Sequence, residues 1–189
     1  MVGVFNRLNI KVSCLGNHDL DYGVPRMKEL INMTSPCKWL MSNLEEESGK
    51  PVGDLGTWAI EEVDDKDGSK IRIGFFGIAE EEWLGLFPPH MDDVFIYKDY
   101  VEVANEKVKF LREGKNCDVI IALTHMRLPT DRIFADTVSG VDLCLGGHDH
   151  MYVAEMRDKT GVAVVKSGTD FEEFSDIKVD FGILQEEAK

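Results

Sequence analysis

Three apolar runs in this chain end in histidines. Residues 10–15 (IKVSCL) lead into Gly16, Asn17 and His18, and residues 117–124 (CDVIIALT) lead into His125. Residues 141–145 (VDLCL) lead through Gly146 and Gly147 to His148 and His150. Four of the five histidines thus stand at the ends of strand-like segments. In open α/β sheets, loops from different strands converge outside the strands' carboxyl ends, and ligand sites form there. A fold that brings these strand ends together would aim imidazoles from three directions into one place. The fifth histidine, His90 in FPPHMDD, lies outside the pattern and reads as a loop residue.

The segments between these runs alternate helix and strand patterns, which predicts a single α/β domain over residues 1–189. Residues 2–8 and 79–87 read as short helices, the second stopped by Pro88 and Pro89. Residues 24–33 carry helical spacing at Met27, Leu30 and Ile31. Residues 99–114 give the clearest helix, with Val101, Ala104, Val108 and Leu111 on one face and Gly114 as the stop. Residues 128–138 read as a helix with Pro129 in its first turn. Residues 37–44 read as one strand, 45–56 as a polar surface connection, and 57–63 with 70–78 as a hairpin about the polar tip 64–69. The tail predicts antiparallel strands at 151–158, 162–168 and 174–181.

Composition excludes some partners. With 21 basic against 35 acidic residues the net charge is -14, which repels nucleic-acid backbones and argues against a polymeric nucleic-acid partner. A small phosphate ester stays open, because bound cations reverse the local sign. No apolar run reaches the length of a membrane span. Cys14, Cys37, Cys117 and Cys144 show no CxxC spacing and read as buried free thiols.

Each histidine motif also has an ordinary explanation. GNHD is common turn chemistry, and a lone histidine after a strand is more often a hydrogen-bonded residue than a ligand. GGHDH is harder to dismiss, since two glycines let the backbone bend tightly and present two imidazoles in close register. Asp149, between them, is assigned no role. Imidazole nitrogen with amide and carboxylate oxygen is a donor set suited to zinc, manganese or iron. Two such ions about 3.5–4 Å apart clamp the oxygens of an in-line displacement at phosphorus, and a histidine not spent on metal protonates the leaving oxygen. Arg127, two residues past His125, fits a bidentate phosphate contact and equally an exposed arginine at a helix start.

In order along the chain, GNHDLDYG at 16–23, SNL at 42–44, ALTH at 122–125 and GGHDH at 146–150 resemble the calcineurin-like metallophosphoesterases, and within them the 5'-nucleotidase branch. The resemblance continues to KSGTDF at 166–171. It implies an α/β sandwich, two divalent transition metal ions (Mn, Zn or Fe), and hydrolysis of a small phosphoester or nucleotide. It further implies that Asn17, His125 and His148 hold one ion and that His150 reaches the other. By the same resemblance His18 faces the phosphate and the leaving oxygen, and Asp21 orients it. The family's opening Asp-x-His and Gly-Asp motifs and its C-terminal nucleotidase domain have no counterpart in this sequence. The expectation is therefore an N-terminally incomplete domain, with two ions or, as the alternative for this chain, one alone, and with an open sheet edge available for a homo-oligomer. The alternative is a non-catalytic domain that binds a metal or a partner. The sequence gives no compartment, with the cytoplasm favoured for the chain as written.

Overall fold

A computed structural model describes residues 2–65, 68–86 and 95–179, so His90 lies outside the described residues. The chain begins α1 (Val2–Leu8), β1 (Val12–Cys14), α2 (Gly23–Asn32), β2 (Lys38–Leu40), β3 (Leu44–Glu46), β4 (Ala59–Asp64) and β5 (Lys70–Ala79). It continues β6 (Phe95–Tyr97), α3 (Tyr100–Lys109), β7 (Val119–His125), α4 (Leu128–Thr137), β8 (Leu143–Gly146), β9 (Tyr152–Met156) and β10 (Ala163–Ser167). Short 3₁₀ turns occupy Asn17–Leu20, Val52–Asp54 and Glu81–Leu86.

Six strands form the main sheet in the order β4-β5-β7-β8-β10-β9. Its middle, from β5 through β10, is parallel, and the hairpin partners β4 and β9 add antiparallel edges. β7 explains the layering. Flanked by β5 and β8 and buried along almost its whole length, it alternates residues between two cores. Ile120 and Ala122 point to one face, where they pack with Phe76, Phe134, Val108 and Leu111 beneath α3 and α4. Val119, Ile121 and Leu123 point to the other, against Val12 and Cys14 of β1. A third cluster, around Leu15, Met27, Trp39 and Trp83, seats α2 and the short parallel pair β1–β2. The result is an α/β sandwich with helices on the outside. Among the described residues β1 pairs with β2 alone, and no helix is long and apolar enough to cross a membrane.

Local details correct the sequence reading. The single strand expected at 37–44 is two, β2 and β3, because the chain turns across the end of β5 at Ser42 and Asn43. Asn43 is fully buried. Its Nδ2 donates to Ala79 O (2.8 Å) and Lys98 O (3.1 Å), and its Oδ1 accepts from Ala79 N (3.0 Å). The connection 45–56 is less superficial than expected, since Val52 and Gly53 are buried and β3 pairs with β6. The strand expected at 174–181 does not form over 174–179, and residues 180–181 lie outside the described residues. Of the four thiols, Cys117 and Cys144 are buried as expected, whereas Cys14 and Cys37 are only half-buried. Replacing Asn43 with alanine strands three backbone groups, and the expected cost is at least about 2 kcal/mol in urea unfolding; a loss within about 0.5 kcal/mol would refute the bridging role.

Candidate metal centre

The alternation of β7 also sends its terminal histidine to the site. His125 shares parity with Ile121 and Leu123, so it emerges on the β1 side, while Thr124 turns to the α4 side and donates to Asp131 Oδ1 at 2.6 Å. On the β1 side the chain leaves its strand at Gly16 and enters the 3₁₀ turn Asn17–Leu20. Asp19 accepts the Gly16 N–H (2.7 Å) and fixes that turn. Asn17, buried, then presents Oδ1 to His125 Nε2 at 3.0 Å, a contact between residues 108 positions apart.

His148 follows β8, and its ring centroid lies 4.9 Å from that of His125. Both histidines of the GGHDH turn adopt left-handed backbone, with φ of 80° at His148 and 56° at His150. Such values are uncommon outside glycine, and strain of this kind concentrates where a loop must aim side chains. Glycines admit the His125 ring: a Cβ on Gly16 would lie 2.9 Å from it, and one on Gly147 would lie 3.2 Å away. Buried Trp83 meets the ring edge-on at 5.5 Å.

His18, next to Asn17, is the outward member, with its side chain 79% exposed and Nδ1 3.0 Å from Asp21 Oδ2. His150 is exposed, and among the described residues no hydrogen bond or ring contact joins it to Asn17, His125 or His148. Arg127 lies at the start of α4 with its Nη2 2.9 Å from Glu82 Oε1, so its guanidinium is engaged by a carboxylate in this structure.

Sequence reasoning missed Glu80. It follows β5, beside the end of β7, and is 5% exposed. Its oxygens accept from Arg127 N (3.1 Å) and Thr130 Oγ1 (2.6 Å), and Oε1 lies 3.7 Å from His148 Nε2. Its position after the strand KIRIGFFGIA is the same signal that marks the histidines. Asp149, assigned no role from sequence, accepts the Leu128 N–H at 2.6 Å and so ties the GGHDH turn to α4.

The electrostatics favour neutral imidazoles. Burial first, then the positive potential of His148, Lys166, His18 and His150, pushes His125 down to about 3. His148 is also lowered, chiefly by burial, with Glu80 opposing and Arg127 adding to the effect. Neutral imidazole is the form that ligates metal. Among the described residues no group of three or more His, Cys, Asp or Glu side chains closes around a common point. The donors that do approach one another are mixed: Asn17 Oδ1, His125 Nε2 and the His148 ring. Adjacent ligands on a first-row ion with bonds of about 2.1 Å lie roughly 3 Å apart, so the Asn17–His125 spacing fits one divalent ion.

A family model for calcineurin-like phosphoesterases matches residues 3–152. The chain is 31% identical over 141 residues to a 5'-nucleotidase of Diplobatis ommata, covering 74% of this chain and 23% of that protein. It is 27% identical over 161 residues to a 2',3'-cyclic-nucleotide 2'-phosphodiesterase/3'-nucleotidase of Salmonella typhimurium, covering 77% and 24%. Among solved structures it is similar to the calcineurin-like phosphoesterase YfkN of Bacillus subtilis, with a TM-score of 0.76 at 21% identity over 89% of this chain and 57% of that one. The chain thus spans about a quarter of the length of these curated relatives.

The depressed His125 gives a signed prediction for the metal-free protein. Between its unfolded value near 6.5 and about 3, the unfolded chain binds a proton that the folded chain refuses, so His125 subtracts stability as pH falls through that window. Asp131, raised by burial to about 6, acts oppositely between that value and 3.8, where the folded carboxyl holds the extra proton. Urea unfolding at about pH 7 and about pH 5 should show His125→Asn losing less stability than wild type. Equal losses would mean that His125 is protonated in the fold.

Proposed function

Because this chain belongs to the calcineurin-like phosphoesterase family, we propose that it binds a divalent metal ion and hydrolyses a small phosphoester or nucleotide. The observation that carries the reading is the 3.0 Å approach of Asn17 Oδ1 to His125 Nε2 across 108 residues, with His18 facing outward beside it. Nucleotide substrates are suggested by the names of the relatives alone.

Asn17, His125 and His148 would hold the ion, which supplies positive charge against a phosphoryl oxygen. His150, exposed on the same turn, is the donor offered toward a second ion. His18 is the proposed general acid. With Nδ1 held by Asp21, its outward Nε2 is the ring atom that hands a proton to the leaving oxygen. The Asp21 carboxylate steadies the ring and stabilises the imidazolium before that transfer. Arg127 is proposed to exchange Glu82 for a phosphate oxygen when substrate enters, since both partners are about half exposed and their ion pair is weak. Glu80, with Oε1 3.7 Å from His148 Nε2, places a negative charge beside that ring and accepts the Arg127 N–H.

Hydrolysis of p-nitrophenyl phosphate and bis(p-nitrophenyl) phosphate with Mn²⁺ tests the proposal. His18→Ala should lower kcat by about 10²- to 10⁴-fold with bound Mn²⁺ unchanged, whereas Asn17→Ala and His125→Ala should lose metal and turnover together. A folded wild-type chain that binds Mn²⁺ yet hydrolyses neither ester would overturn catalysis in favour of a metal-binding domain.

A further inference from the structure

Lysine is among the residues least often buried, yet Lys166 near the end of β10 is 2% exposed. Its Nζ donates to Met126 O (2.7 Å), Gly147 O (2.6 Å) and Asp149 Oδ1 (2.6 Å). An ammonium has three hydrogens, and these acceptors use all of them. Asp131 Oδ2, fully buried and 2.8 Å away, is left in charge contact without a proton of its own. The approach is so close that a Cβ on Gly146 would lie 2.9 Å from both Lys166 Cε and Asp131 Oδ2.

The acceptors belong to two loops. Met126 immediately follows His125, while Gly147 and Asp149 flank His148. Asp149 closes the circuit through its other oxygen, which accepts the Leu128 N–H at 2.6 Å, and Gly147 N–H donates to Thr124 O at 2.9 Å. One ammonium therefore joins the backbone just after one histidine to the backbone before the other and to the side chain of the residue after it. We infer that Lys166 is a positioning residue, fixing the separation of the His125 and His148 loops so that both imidazoles address one metal ion; this rests on the proposed reading of those histidines as donors. Net stability is a poor explanation for the arrangement. Buried ion pairs return little over well-packed apolar residues, because desolvation offsets their attraction. Position is what an apolar replacement could not supply, since it offers no hydrogens to two carbonyls on separate loops.

The test uses Lys166→Met, with Lys166→Met/Asp131→Asn as a second variant that removes the deepest stranded charge should the first fail to fold. Circular dichroism establishes folding, NMR amide exchange reads the loops without metal, and cobalt(II) titration reads the site. In the folded variant, Leu128 and Gly147 amides should exchange at least about tenfold faster while Ile121 and Leu123 stay protected, and cobalt affinity should fall about 10- to 100-fold. Val164→Ala, a cavity in the same strand, controls for general destabilisation and should leave cobalt affinity unchanged. Wild-type protection at Leu128 and Gly147 in a folded Lys166 variant overturns the inference, as does wild-type cobalt affinity. If wild type binds no cobalt, or His125→Ala binds it equally well, the reading of the histidines as donors fails and the inference that depends on it is overturned, even where the exchange arm shows loosened loops.

Discussion

The central constraint is the two-sided burial of β7. A strand covered on both faces sends successive side chains to opposite layers, so Thr124 and His125, adjacent in sequence, serve different structures. His125 meets Asn17 on the β1 side, and Thr124 meets Asp131 on the α4 side. The same parity holds in β10, where Val165 joins the β1-side core and Val164 the helix-side core. Lys166 follows Val164 in phase, which delivers it to Asp131 beneath α4. Shifting β7 by one residue would exchange these roles and turn the imidazole into the helical core. The hydrophobic alternation that stabilises the sheet therefore also aims the site.

This division explains how much was legible in the sequence. The α/β class, the clear helix at α3, the β4–β5 hairpin and the clustering of strand-end histidines all leave local signatures: apolar runs, helical spacing, and glycines before histidines. The turn at Ser42 and Asn43 leaves none, because it is held by backbone groups at Ala79 and Lys98, far along the chain. β6 and the broken strand at 37–44 were missed for the same reason. At the site, Asn17, His18 and His125 were readable by type and place. Glu80, Asp131, Asp149 and Lys166 were not, because a buried charge and a solvated one have the same letter, and only tertiary contact separates them. Lys166 sits in an apolar strand, VAVVKS, where alternation alone would take it for the next inward position or a surface break.

Charge also needs to be read in layers. The chain carries a net charge of -14, yet at His125 burial first, and then Lys166 and the neighbouring histidines, lowers the proton affinity. Two carboxylates, buried Asp131 on α4 and half-buried Asp149 within the GGHDH turn, balance Lys166. Burial drives Asp131 toward its neutral form while Lys166 draws it back. His125 is thereby held in its neutral form, while Glu80, beside His148, opposes the lowering there. An asparagine oxygen rather than a carboxylate then faces His125, which adds a donor to the site without adding a negative charge that would raise its proton affinity.

The left-handed backbone at His148 and His150 shows how such a site is maintained. Each residue so placed costs on the order of 1 kcal/mol or more and persists only where the surroundings determine it. At His148 those surroundings are specific: Gly147 is held through its N–H by Thr124 and through its carbonyl by Lys166, and Asp149 is held at both carboxylate oxygens. The residue between them has little conformational choice left. At His150 the backbone is again left-handed, but the side chain lies exposed. The turn thus passes from a residue held on both sides at His148 to an exposed side chain at His150.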